Sequence, residues 1–173
     1  MSDAIDQSTH IVTALNTILA PGQIVEIRIL KATTATYKTP HTMSGYFDDW
    51  SKVPDAIKAA GIKFAPAFYF TLNPPKPELL SRAMNRIKDA NETTSDADIT
   101  IRRWMLIDPD PTRPAGISST NAEHEAAIAK VREIKATLQS RGWPDPIVAD
   151  SGNGAHLLYR IDLPREDHEL VRR

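Results

Sequence analysis

The 173-residue sequence contains no cysteine. This absence excludes a disulfide scaffold, a cysteine-ligated zinc site, an iron–sulfur cluster and thiol catalysis. The sequence also lacks an excess of charge of one sign, because it contains 21 lysines and arginines and 22 aspartates and glutamates. The chain therefore has no global basic field that would attract nucleic acid, and such a partner would need a local patch or bound metal ions.

Long apolar runs are missing too. No window reaches 18 consecutive apolar residues, so we expect no membrane span. The first ten residues, MSDAIDQSTH, are acidic and polar and lack the basic and apolar regions of a signal peptide. The expected location is therefore the cytoplasm, and no membrane partner is expected.

The composition that remains is that of a soluble globular protein, with 41% hydrophobic and 25% charged residues. We find no internal repeat. The length predicts one domain over 1–173, formed by an N-terminal αβ module (1–100) and a second module (101–173).

Local patterns predict the elements of the first module. Apolar residues at helical spacing predict a helix from Ile11 to Leu19 that ends at Pro21 and Gly22. The remaining predictions are a strand at 24–30, a turn or loop at 31–42, a returning strand at 45–47, a helix capped by Ser51 that runs to Ala60, a buried strand at 64–70 and a helix at 78–90.

The second module has clearer signals. They predict a strand at 102–108, a helix that begins at a Thr120–Glu123 capping box and ends at Gly142, a hairpin of strands 146–150 and 155–161, and a helix from Pro164 onward. This β-α-β-β-α order is that of an RRM-like or ferredoxin-like unit without its last strand, so the expected fold class is α+β. We expect the chain to be the N-terminal piece of a longer protein.

Asp108 and Asp110 are the sharpest candidate site. Residues two apart on a strand point to the same face, and the apolar residues 104–107 anchor the pair on a buried strand. Two carboxylates at a strand end suit Mg²⁺ or Mn²⁺, and such a pair can hold two metals over a phosphate that undergoes in-line attack. The alternative is a polar exit from the strand with no ligand.

A second candidate site follows the hairpin turn SGNG. Strand alternation places His156 and Arg160 on the open face of the sheet, which Asp108 and Asp110 can share. A hydroxyl, backbone N–H groups, a histidine and an arginine suit a triphosphate; the set is Ser151, Gly152, Asn153, Gly154, His156 and Arg160. The alternative is an ordinary hairpin with a solvent-exposed histidine.

Other polar and aromatic residues have simpler interpretations. Asp96 and Asp98 are expected either to support the metal ligands or cap a helix, or simply to belong to a polar loop. His124 is expected to be exposed in the first turn of its helix. Arg102 and Arg103 either contact a nucleic-acid backbone or flank the strand. Four residues around the early hairpin either pack in the fold or contact bases, the aromatic ones by stacking: Tyr37, Lys38, Tyr46 and Phe47.

The segments WMLIDPDP, ISSTNAEHEAA and IVADSGNGAHLLYRIDLP closely resemble the primase–polymerases of plasmids and phages, which belong to the archaeo-eukaryotic primase superfamily. The upstream FYFTLNP and TTSDADI are also similar to that branch. The resemblance implies that Asp108 and Asp110 hold divalent metals, and that Ser151 and His156 form the motif that contacts nucleotide phosphates. It also implies a third motif, an Asp on a final strand beyond residue 173. Pro109 departs from the apolar residue usual between the two acids.

The resemblance implies metal-dependent, template-directed transfer of a nucleotidyl group from a dNTP or NTP to a 3′-hydroxyl, with pyrophosphate leaving. The implied partners are a DNA template and primer and a downstream helicase domain. One alternative is a non-catalytic module that binds nucleotides or nucleic acid through the same sheet. Another is a metal-dependent phosphohydrolase or nuclease, which also uses paired aspartates.

Overall fold

The computed structural model describes residues 2–111 and 117–167, with side chains from residue 7 onward. It divides the chain into two compact units, Met1–Ile101 with Pro164–Arg173, and Arg102–Leu163. Helices and antiparallel strand pairs occur in both units. The predicted α+β fold class is therefore confirmed.

The first unit is built around one long strand. Its elements are α1 (Ser2–Ile18), β1 (Val25–Thr34), β2 (His41–Phe47), α2 (Val53–Ala59), β3 (Ile62–Phe64), β4 (Ala67–Phe70) and β5 (Lys88–Asp89), with short 3-10 helices at Trp50–Lys52, Pro77–Arg82 and Asp96–Asp98. β1 pairs antiparallel with β2 along one edge and with β3 and β4 along the other. β5 extends the sheet beyond β2.

Alternation along β1 separates an apolar face from a polar one. Val25, Ile27 and Ile29 are buried in a cluster with residues from α1, β2 and α2. Glu26 and Arg28 point to the opposite face. The strand predicted at 24–30 and the returning strand predicted at 45–47 are thus confirmed, as is the helix that ends before Pro21 and Gly22.

β1 also continues through part of the segment predicted as a loop. Ala32 pairs with His41 and Thr33 pairs with Phe64, so the strand continues to Thr34. The register shifts between Ile29 and Ala32, where Lys31 has a φ of +52°. The bulge allows β1 to continue through this irregular segment. Its hydrogen bonds there come from β2 and β3, which are distant in sequence and could not be identified from the local pattern.

Three further predictions in this unit are wrong. β4 is not buried: 49% of Phe68, 52% of Tyr69 and 39% of Phe70 is exposed, because the strand pairs with β1 at an edge of the sheet. Ser51 does not cap the helix. It lies inside the 3-10 turn, and the carboxylate of Asp49 accepts hydrogen bonds from its backbone N–H and its hydroxyl.

The third error is the helix expected at 78–90. A 3-10 helix ends at Arg82, and the backbone leaves the helical conformation at Ala83, whose carbonyl accepts a hydrogen bond from Tyr46 N–H at 3.0 Å. Asn85 then donates its backbone N–H to the Tyr46 carbonyl at 2.7 Å, with a φ of +50°. Bonds to β2 therefore replace the helical bonds that the local sequence would favour.

The second unit is a split β-α-β arrangement. Its elements are β6 (Ile101–Ile107), α3 (Asn121–Ser140), β7 (Ile147–Asp150) and β8 (Ala155–Pro164). β8 lies between β6 and β7 in the sheet and pairs antiparallel with β7. The predicted strands and the helix between them are confirmed. So is the capping box, in which Thr120 N–H donates to Glu123 at 2.7 Å and Glu123 N–H donates to Thr120 Oγ1 at 3.3 Å. The expectation that residues 104–107 form a buried strand is wrong, because β6 ends at Ile107 and every one of its residues is at least partly exposed.

One face of this sheet forms a core with α3. Val131 of α3 packs with Leu157 and Tyr159 of β8, and Met105 and Ile107 of β6 join the cluster. The predicted division of β6 and β8 into a core face and an opposite face is therefore correct for these residues. The helix expected from Pro164 onward does not begin there, since Pro164 ends β8 and a turn follows at 165–166; residues 168–173 lie outside the described part of the chain.

Candidate functional site

The carboxylate of Asp108 and the imidazole of His156 lie side by side. Asp108 directly follows β6, and His156 is the second residue of the neighbouring strand β8. The Nε2 atom of His156 is 3.1 Å from Oδ1 of Asp108. The His156 side chain is 33% exposed and the Asp108 side chain is 43% exposed. The pair is therefore accessible to solvent and joins two residues that strand alternation had placed on one face.

The hairpin turn packs directly against the Asp108–Asp110 segment. A Cβ atom built on Gly154 would lie 2.9 Å from the Pro109 carbonyl oxygen and 3.2 Å from Oδ1 of Asp110. Only glycine permits this approach, because a methyl group would collide with the backbone of Pro109. Gly154 thus brings the turn and the second carboxylate together.

The turn itself is closed by hydrogen bonds. Oδ1 of Asp150 accepts from the N–H of Gly152 at 2.7 Å, and Gly152 has a φ of +78°, which favours glycine. Gly154 N–H donates to Ser151 Oγ, and Ser151 N–H donates to the Gly154 carbonyl, both at 3.0 Å. The N–H groups of Gly152 and Gly154, predicted as phosphate donors, therefore hold the turn in this structure.

Two other predicted nucleotide contacts also have local partners. Oδ1 of Asn153 accepts from the backbone N–H of Ser119 at 3.0 Å. Ser151 accepts from Gly154 through its hydroxyl oxygen, which leaves the hydroxyl proton to donate elsewhere. Contact of Ser151 and Asn153 with a nucleotide stays a prediction.

Arg160 lies four residues further along β8 than His156. Its Nε atom is 2.6 Å from Oδ2 of Asp162, and Oδ1 of the same carboxylate is 3.4 Å from Nε of Arg103. Arg160 is therefore tied to Asp162, and the structure does not bring it into the pair that Asp108 and His156 form. Its predicted role toward a triphosphate also stays a prediction.

His124 was expected to be exposed, but it is partly buried in a contact that the sequence did not predict. Its Nε2 atom lies 2.9 Å from Oδ1 of Asp150, and 28% of the side chain is exposed. Together with the backbone N–H of Gly152, this contact holds the pKa of Asp150 below its ordinary value of 3.8. A possible signal was Asp150 itself, because an aspartate two residues before a glycine in a turn is typical of an Asx turn.

Asp96 and Asp98 serve the local fold of the first unit. Oδ2 of Asp98 accepts from the backbone N–H and the hydroxyl of Ser95 at 3.0 and 2.8 Å, forming a capping box around the 3-10 helix. These hydrogen bonds lower the pKa of Asp98 below 3.8. The interpretation as cap residues is confirmed for Asp98.

The donor set at Asp108 and Asp110 fits a hard divalent cation. Mg²⁺ is commonly bound by one or two carboxylates, with waters and substrate phosphates as the other ligands. Among residues 2–111 and 117–167, no group of three or more His, Asp or Glu side chains is arranged to hold a metal.

Within the same described ranges, no helix combines the length and the apolar character that crossing a bilayer requires. No protein-family model, curated protein or solved structure matches this sequence. The function must therefore be argued from the residues of the site.

Proposed function

We propose that this chain carries the nucleotide site of a DNA primase–polymerase, which transfers a nucleotidyl group from a dNTP or NTP to a 3′-hydroxyl on a DNA template. The observation that carries the proposal is the 3.1 Å contact between His156 and Asp108. With the packing of Gly154 against Pro109 and Asp110, this contact places a histidine and a glycine turn beside the Asp108–Asp110 segment. These groups suit a metal-bound triphosphate.

Asp108 and Asp110 would hold Mg²⁺ or Mn²⁺, as a two-metal site, jointly with the nucleotide phosphates. When bound, the cations would neutralise charge on the transferring phosphate and help to ionise the attacking hydroxyl. In the protein without ligand, Nε2 of His156 lies 3.1 Å from Oδ1 of Asp108. When a nucleotide binds, His156 would donate its Nε2–H to a phosphate oxygen, and Asp108 would face the cation.

The turn would present the phosphates to this histidine. Its shape is held by Asp150, Gly152 and Gly154, as described above. The hydroxyl of Ser151 retains a proton to donate to a phosphate oxygen. The roles of Asn153 and Arg160 also belong to this proposal and rest on the residue pattern of the turn and of β8. A DNA primer–template and a downstream helicase domain belong to it as well and rest on the family resemblance.

The first test is calorimetry of dATP and ATP binding, with and without Mn²⁺. We expect Mn²⁺-dependent binding by the wild-type chain and a loss of about tenfold or more in affinity in Asp108→Asn/Asp110→Asn. The matched control is Asp55→Asn/Asp145→Asn, which makes the same change of charge at carboxylates that are 86% and 69% exposed. This control should bind as the wild type does.

A second measurement separates the proposed reaction from the alternatives. The wild-type chain is given a primed DNA template, dNTPs and Mn²⁺. Extension of the primer supports the proposal. Degradation of the DNA or hydrolysis of the nucleotide would favour a phosphohydrolase or nuclease. In a longer chain that carries the third motif, nucleotide binding without turnover would favour a non-catalytic module. The absence of Mn²⁺-dependent binding in the wild type would overturn the proposal.

A further inference from the structure

Two side-chain contacts attach the start of α3 to the turn at 151–154. Nε2 of His124 lies 2.9 Å from Oδ1 of Asp150, and Asn153 accepts from the backbone N–H of Ser119 at 3.0 Å. Ser119 directly precedes Thr120, the N-cap of α3. Both ends of the turn are thus connected to the same helix terminus.

The N-terminus of α3, from which these contacts are made, is fixed by its cap and by core packing. The Thr120–Glu123 capping box fixes the first turn of α3, and His124 donates its backbone N–H to the Thr120 carbonyl at 2.9 Å. Val131 anchors the helix in the core with Leu157 of β8. His124 therefore projects from a position that both the cap and the core determine.

Asp150 connects His124 to the turn at 151–154. The same oxygen, Oδ1, accepts from His124 and from the backbone N–H of Gly152. Asp150 pairs with Ala155 across the hairpin, and the next pair is Ala149 with His156. A shift of Asp150 would therefore move the turn that contacts Asp110 and the strand that carries His156.

The His124–Asp150 pair contributes little to overall stability, because its side chains are 28% and 56% exposed. The protein contains a comparable pair elsewhere. In the first unit, His41 and Asp89 are also 2.9 Å apart, with side chains that are 24% and 55% exposed. The two pairs differ in surroundings: only the first adjoins the turn at 151–154, so His41 offers a matched control.

We propose that His124 is a positioning residue of the candidate nucleotide site, which acts by holding Asp150 and thereby the turn at 151–154. This inference rests on the proposed function. His124 itself makes no contact with the nucleotide. Its imidazole sets the place of the turn against the Asp108–Asp110 segment, and through the turn the place of His156.

The first experiment measures the turn without any ligand. Backbone amide resonances of the full chain are compared for wild type, His124→Ala, His124→Gln and His41→Ala. We expect His124→Ala to shift the amides of Gly152, Gly154 and His156. His124→Gln should keep them near their wild-type positions, because the amide nitrogen of glutamine can donate to Asp150 as Nε2 does. His41→Ala should leave them unchanged.

The second experiment measures binding of Mn²⁺–dATP and Mn²⁺–ATP by the same four proteins. We expect His124→Ala to weaken binding by about 10-fold to 100-fold, the usual effect of removing a group that orients a ligand-binding residue. His124→Gln should restore most of the affinity, and His41→Ala should bind like the wild type. The thermal unfolding midpoints of His124→Ala and His41→Ala should change by similar amounts. A loss of nucleotide binding in His124→Ala alone would then not follow from a general loss of stability, as it would if His124 had only a structural role.

Two results would overturn the inference alone. The first is that the amide resonances of Gly152, Gly154 and His156 keep their wild-type positions in His124→Ala. The second is that His124→Ala binds the nucleotide with wild-type affinity, in a series in which the wild type binds. Failure of the wild type to bind either Mn²⁺–nucleotide would instead overturn the proposed function, and this inference with it.

Discussion

At the scale of single residues, Glu26 is a charged group placed where charge is costly. Its side chain is fully buried, yet every partner that a carboxylate needs is present. Arg28 donates from Nη2 at 2.7 Å and from Nε at 3.3 Å, Ser44 donates its hydroxyl at 2.6 Å, and Thr94 donates its backbone N–H at 3.1 Å. Burial acts to raise the pKa of Glu26, but these hydrogen bonds outweigh it, and the pKa lies below 4.5.

Glu26→Gln should therefore reduce stability in a pH-dependent way. Because the folded state lowers the pKa, the contribution of the carboxylate is complete above the unfolded value of about 4.5 and is lost as pH falls through the folded value. Near neutral pH we expect a loss of about 2–4 kcal/mol in the free energy of unfolding, measured with urea. The difference from wild type should shrink below about pH 4.5.

The control for this series is Glu133→Gln, which removes a carboxylate that pairs with Lys130 and is 68% exposed. It should change the free energy of unfolding by less than about 1 kcal/mol at any pH. A gap between Glu26→Gln and wild type that stays constant down to about pH 3 would show that the charge of Glu26 does not stabilise the fold.

At the scale of elements, the β7–β8 hairpin matters because of how closely it approaches the end of β6. The contact at Gly154 places backbone against backbone, so the neighbouring atoms cannot rotate away. Gly142, after α3, differs in kind. Its φ of +84° favours glycine, but a Cβ there would meet open space. Gly154 is thus required because of the space available at the candidate site. Gly142 is favoured because of its backbone conformation, at a position away from the site.

Gly154→Ala should displace the Asp108–Asp110 segment or the turn. We expect a cost of about 1–3 kcal/mol in the free energy of unfolding, as for overpacking, together with weaker Mn²⁺–dATP binding. Gly142→Ala should cost about 1–2 kcal/mol through its positive φ and leave binding unchanged. Urea titration and calorimetry measure both quantities. Equal binding by the two variants would mean that the close approach at Gly154 is not needed by the site.

At the scale of the whole molecule, each unit has a hydrophobic core of its own. Ile29 belongs to the core of the first unit and Leu157 to that of the second, and both are fully buried. The core cluster of the second unit draws its residues from β6, α3 and β8, together with Trp143 of the loop after α3. This separation predicts that damage to one core is felt mainly by the strands around it.

Leu157→Ala should cost about 2–5 kcal/mol, the usual range for truncating a buried leucine. Amide hydrogen exchange should show the loss of protection in β7 and β8, whereas β1 and β2 keep theirs. Ile29→Ala, a truncation of similar size, should show the reverse. Equal loss of protection in all four strands after either substitution would show that the chain unfolds as one cooperative unit.

The elements that could be predicted are those with local signals that agree. The Thr120–Glu123 capping box lies within one turn of helix, and the alternation of β1 and β8 is read from neighbouring residues. The same alternation was enough to place Asp108 and His156 on one face, because their strands lie side by side. For this reason the fold class and the centre of the candidate site followed from the sequence.

Other features depend on partners far along the chain, and only the tertiary structure decided them. The segment 78–90 is not a helix because Tyr46 binds Ala83 and Asn85, and β4 is exposed because it lies at an edge of its sheet. His124 meets Asp150 across 26 positions of sequence. For the segment 78–90, local propensity is worth a few tenths of a kcal/mol per residue, and the hydrogen bonds to Tyr46 outweigh it. The edge position of β4 and the contact of His124 depend on where distant elements lie, which no local pattern contains.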